Sequence, residues 1–159
     1  MTQPNSKKTA DLKSALSQLE NVLEEYLVKK APFQIPQNIK EIIVSLAPWL
    51  SLIGVVLAVP SILVLFGLGT AMMPLGYMMG GLRYGATFSI SMIFTVIILL
   101  LEAIAIPGLF KKARAGWNFM YYATLVGVVQ NLIVFNIGGL IIGSLIGFYI
   151  LFQVKELYK

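Results

Sequence analysis

Four long apolar runs leave this chain few ways to fold in water. They cover about residues 49–68, 86–106, 117–135 and 139–154. The first has roughly 20 residues, about 30 Å of helix, which matches the hydrocarbon thickness of a bilayer. Hydrophobic residues fill 58% of the 159 positions and charged residues 12%, against about 45–50% and about 25% in soluble domains. A soluble protein of this size has too little interior for that much apolar surface, so lipid is expected to cover it. The expected fold is all-α: a polytopic membrane protein with four transmembrane helices in two hairpins, plus an N-terminal cytoplasmic amphipathic helix.

Ahead of the apolar runs, residues 1–10 read as a disordered polar leader. Residues 11–37 follow as an amphipathic helix and linker, and residues 38–159 as the transmembrane unit. Leu12, Leu16, Leu19, Leu23 and Tyr26 alternate in steps of four and three, the spacing of a heptad seam. Lys13, Glu20, Glu24 and Glu25 lie off that seam. The helix is expected over 11–30, closed by Lys29 and Lys30, with Pro32 and Pro36 as breakers. Asn38 with Glu41 three residues on suggests a capping box for a short surface helix through Leu46. The first forty or so residues hold no short apolar core before a small-residue cleavage site. Membrane entry is therefore expected to depend on the first span.

Pro60 lies mid-span and predicts a kink near 56–60. Pro107 and Gly108 are expected to end the second span, and residues 136–139 to form a tight turn. Residues 69–85 read as a long apolar outer loop, either re-entrant or packed over the helix ends. Its four methionines could hold a soft ion through sulfur, but the chain has no cysteine or histidine to complete such a site. Adaptable apolar packing is the expectation, and no metal or cofactor is expected.

Basic residues give the orientation. Lys7, Lys8, Lys13, Lys29, Lys30, Lys40, Lys111, Lys112, Arg114, Lys155 and Lys159 gather on one side of the expected spans, and Arg83 lies on the other. The positive-inside rule puts the crowded side and both termini in the cytoplasm, as in a multi-pass protein of a cell's inner membrane. Trp49, Trp117, Tyr121 and Tyr122 fall at the expected inner interface, with Tyr77 and Tyr84 towards the outer one. The net charge of +5 is explained by this clustering, so no nucleic-acid partner is expected.

Few residues could carry chemistry. Glu102 stands in an apolar stretch one turn inside the second span, where a carboxylate costs a few kcal/mol unless paired, protonated or wet. It reads as an intramembrane polar site or as the ion-pair partner of Lys111, Lys112 or Arg114. Gln130 and Asn131 lie deep in the third span and predict interhelical hydrogen bonds or a polar lining. Gly139, Gly143 and Gly147 form a small-residue ridge suited to close helix packing. Lys111, Lys112 and Arg114 make a basic inner loop that would attract anionic headgroups or simply fix the topology. No phosphate loop, metal-ligand spacing or nucleophile–base pair occurs, and no enzyme is expected.

Residues 26–33, 108–118 and 146–154 resemble segments of small four-span bacterial membrane proteins. The resemblance implies a fold and brings no activity, cofactor or site residue with it. Two functions stay open: an accessory or scaffold subunit acting by helix association, or a subunit of an oligomeric transporter or channel using Glu102 and the outer loop. The expected partners are the lipid bilayer and, through the 11–30 helix, a second copy or another membrane protein.

Overall fold

The computed structural model describes residues 5–159, and side chains from 11 onwards apart from those of 83 and 84. The first four residues of the expected leader lie outside the described residues. Five helices make up the chain, with no strand among the described residues: α1 Asn5–Glu24, α2 Gln37–Leu82, α3 Gly85–Phe110, α4 Arg114–Ile133 and α5 Gly139–Gln153. A wide turn over Glu25–Lys29 prolongs α1, and a short 3-10 turn, Lys155–Leu157, follows α5.

α2 corrects three expectations at once. The surface helix, the first span and most of the outer loop form one helix of 46 residues, about 69 Å long at 1.5 Å per residue. Its N-cap is Pro36, whose carbonyl accepts from the Ile39 and Lys40 amides at 3.0 Å each, so the capping box at Asn38 does not form. Pro48, Pro60 and Pro74 all keep helical dihedrals, and the helix breaks at Gly81, φ 68° and ψ −175°. That conformation suits a residue without Cβ. The physical reason is that a helix satisfies its own amides. In an apolar run, leaving the helix strands polar backbone, which outweighs the weak propensities of glycine and proline.

α3 likewise runs through Pro107 and Gly108 to Phe110 before the chain turns over residues 111–113. Lys112 sits in this turn with φ 49°. The second turn falls at 134–136, two residues ahead of expectation, and the Asn136 side chain accepts from the Gly139 amide at 3.0 Å. α2 and α3 touch at Trp49 with Phe110, ring centroids 5.1 Å apart, and again where Phe88 covers Gly69. These pairs fall in inverse order along the two helices. α3 and α4 meet most closely at Gly108 and Gly116, where a Cβ on either would come within 2.5 Å of the other's backbone.

Burial is one-sided. The core consists of Val44, Ala105, Leu109, Trp117, Tyr121, Phe148, Phe152, Val154 and Tyr158, all at the end where the basic residues collect. The opposite end is open, with Met79 89% and Leu82 84% exposed. α2 and α3 are both long and apolar enough to cross a membrane. α5 is apolar but rises only about 22 Å.

Candidate functional site

Most long-range polar contacts gather at the buried end. Glu20, on the inward side of α1, accepts from both Arg114 and Lys155 on a single oxygen, Oε1, at 2.9 Å each. Glu24, one turn on, pairs with Lys155 as well. That hydrogen bond holds the Glu24 carboxyl below its usual range, against the opposing pull of partial burial. Lys40 is buried and meets Glu156 at 2.8 Å. Acids on α1 and beyond α5 thus neutralise cations brought in from other parts of the chain.

Aromatic rings form the floor. Trp117 is fully buried and donates its indole N–H to the Leu151 carbonyl at 2.7 Å. The sequence places it among the interfacial anchors; the structure buries it within the core. Of the other three residues expected at the inner interface, Trp49 and Tyr122 are exposed and Tyr121 is buried. The Arg114 guanidinium lies 4.3 Å and the Lys155 ammonium 5.4 Å from the Trp117 ring centroid, within range of cation–π attraction. Tyr121 stacks on Trp117 at 5.4 Å, and its buried hydroxyl has no hydrogen-bond partner among the described residues.

Backbone and amide bonds close the rest. The Arg114 amide donates to the Lys159 carbonyl at 2.7 Å, and the Lys159 amide to the Lys112 carbonyl at 2.9 Å. Gln153 is buried, donates to the Leu27 carbonyl at 2.9 Å and accepts from the Ile35 amide at 3.3 Å. The Tyr149 hydroxyl reaches the Phe33 carbonyl at 2.7 Å. Burial pushes the Tyr158 phenol up from its ordinary value. Sequence reasoning missed Gln153, Tyr149 and Lys155 as fasteners. A glutamine four residues after a tyrosine at the end of an apolar run was the available signal.

The residues singled out earlier do not converge. Glu102 is half-buried and forms no hydrogen bond or ion pair with any described residue. The expected pairing with Arg114 is replaced by Glu20. Gln130 donates to the Ser91 carbonyl of α3 at 3.3 Å, an interhelical bond, whereas Asn131 bonds within its own helix to Gly127 at 2.9 Å. The glycine ridge is divided. Gly139 faces the side chains of Asn131 and Asn136, Gly143 faces open space, and Gly147 lies by Thr124.

At the opposite end, α2 and α3 leave a cleft of about 610 Å³ walled by Leu68, Met72, Met73, Leu75, Met79 and Phe88. Its lining is apolar and offers no carboxylate, imidazole or thiolate. No group of three potential metal-ligating residues occurs among the described residues. Comparison of the chain with protein families, with curated proteins and with solved structures finds no match.

Proposed function

We propose that this chain is a small, non-enzymatic integral membrane protein that acts by helix association, as an accessory or scaffold subunit. In this reading it crosses a cell's inner membrane four times, as two helical hairpins, with both termini on the cytoplasmic side. One observation carries the proposal: in the most apolar window of α2, none of the residues is buried. A flank of that kind needs lipid or protein against it. α1 adds a second unpartnered stripe, Leu12, Ala15, Leu19, Val22 and Tyr26, with Leu12 64% and Tyr26 60% exposed. Its inward edge is committed to the body through Leu23, Leu27 and Glu20, so the outer stripe is the part left for a partner.

The test is the size of the particle released by mild detergent. A complex larger than one chain, broken by Leu12→Glu with Leu19→Glu, is the expected result. A monomer in wild type, or a complex indifferent to both substitutions, would count against it.

A second reading, an oligomeric transport or channel subunit, draws on the unpaired Glu102. It requires water at that depth. A cysteine at position 102 that resists a small charged thiol reagent from both sides would remove it.

A further inference from the structure

We propose that Arg114 and Lys155, seated over Trp117, form a site for the phosphate of an anionic phospholipid, and that α1 covers this site with Glu20 and Glu24. Three features support it. Arg114 and Lys155 converge on one carboxylate oxygen at 2.9 Å each. Cations so placed repel each other unless an anion stands between them, and a phosphate oxygen meets that demand as a carboxylate does. Contacts outside α1 also hold them in place. Both lie on the Trp117 ring, and Arg114 also donates to the Lys155 carbonyl at 3.4 Å. A site whose cations are gathered before the anion arrives is preorganised for it.

The surroundings select the kind of anion. Lys111, Lys112 and Lys159 are exposed around the pair, joined to it through the Lys112–Lys159–Arg114 backbone bonds. The exposed Trp49 and Tyr122 rings lie at the same end, as aromatic residues do at headgroup level. Cations at that level attract anionic lipid.

The cover is removable. α1 itself, Asn5–Glu24, is held through two carboxylates and the apolar contact at Leu23, while the turn beyond it stays fastened by Leu27, Val28 and the Gln153 bond to the Leu27 carbonyl. The outer stripe of α1 is suited to lie in the interface once released. Anionic lipid then shifts the equilibrium because it binds only the uncovered form.

The chain has no cysteine, so spin labels on Asn21→Cys and Ala115→Cys, both exposed positions, report the α1-to-body distance directly. The full-length chain is measured in vesicles of phosphatidylcholine alone and of equal parts phosphatidylcholine and phosphatidylglycerol. A longer distance in the second lipid is expected. Glu20→Gln with Glu24→Gln should give the long distance in both. Arg114→Gln with Lys155→Gln should lower phosphatidylglycerol retention, read by native mass spectrometry, by roughly tenfold. An unchanged wild-type distance in phosphatidylglycerol overturns the proposal without recourse to any variant. Lengthening by inorganic phosphate in phosphatidylcholine vesicles overturns the lipid assignment. The proposal rests on the membrane reading above, which flotation of the labelled chain with the vesicles tests separately.

Discussion

Glu20 and Arg114, 94 positions apart in the chain, meet at 2.9 Å. The contact joins the amphipathic arm to the start of α4, and Lys155 shares the same carboxylate oxygen. Both side chains are partly exposed, so the pair's contribution is small. A double-mutant cycle on Glu20→Gln and Arg114→Gln should return a coupling of about 0.5–1 kcal/mol, read from unfolding in detergent. Amide exchange in Asn5–Glu24 should rise in either single variant.

Acid should loosen the same arm. The Glu24 carboxyl lies below its ordinary value because Lys155 hydrogen-bonds its charged form. A lowered folded value gives stability that is fully present above the unfolded value and lost as pH falls through the folded one. Protection of the α1 amides, corrected for the intrinsic exchange rate, should therefore fall only as pH drops below the ordinary glutamate range, about 4.3, and Glu24→Gln should reduce that dependence. Protection that is flat with pH in wild type would contradict the pairing.

The two tryptophans should behave oppositely. Trp117→Ala removes a fully buried ring, orphans the Leu151 carbonyl and opens a cavity, at about 3–5 kcal/mol. Trp49→Ala takes away an exposed ring with one aromatic neighbour. Its cost in detergent should be roughly 1 kcal/mol or less.

Glycines separate in the same way. Gly116→Val would push a side chain into the Gly108 backbone, and about 1–3 kcal/mol or more of destabilisation is expected. Gly143→Ala meets no atom within 4 Å and should leave the isolated chain unaffected. If Gly143→Ile alters the size of the detergent-extracted particle while the fold holds, that face touches another chain.

Glu102→Leu should raise the unfolding midpoint, because it replaces an unpartnered carboxylate with a side chain suited to its surroundings. A gain of about 2–3 kcal/mol is the expected scale. A loss of stability would mean that the carboxylate has a partner in the folded protein.

Helix existence was legible because apolar length alone decides it. All four apolar runs lie in helices, and the seam from Leu12 to Tyr26 lies on α1 and the wide turn that prolongs it. The segment after Gly69 was not legible. Its glycines and Pro74 are breakers in water, whereas in the lipid setting proposed above no solvent would accept a freed amide. Trp117 and Trp49 were indistinguishable for a different reason: position along a helix does not say which face meets the core. Expected depth offers Lys111, Lys112 or Arg114 to Glu102, whereas Glu20 reaches Arg114 through the fold. Pairings of that range depend on tertiary packing, and composition carries no trace of them.

The one-sided burial makes the molecule a pair of tongs, riveted where Trp117 sits and thinly packed at the methionine tips. In a bilayer, as proposed above, lateral pressure from acyl chains would act on the thinly packed arms with leverage. Thick and thin bilayers should therefore set different spreads between Met79 and Ile137, while the riveted end stays as it is.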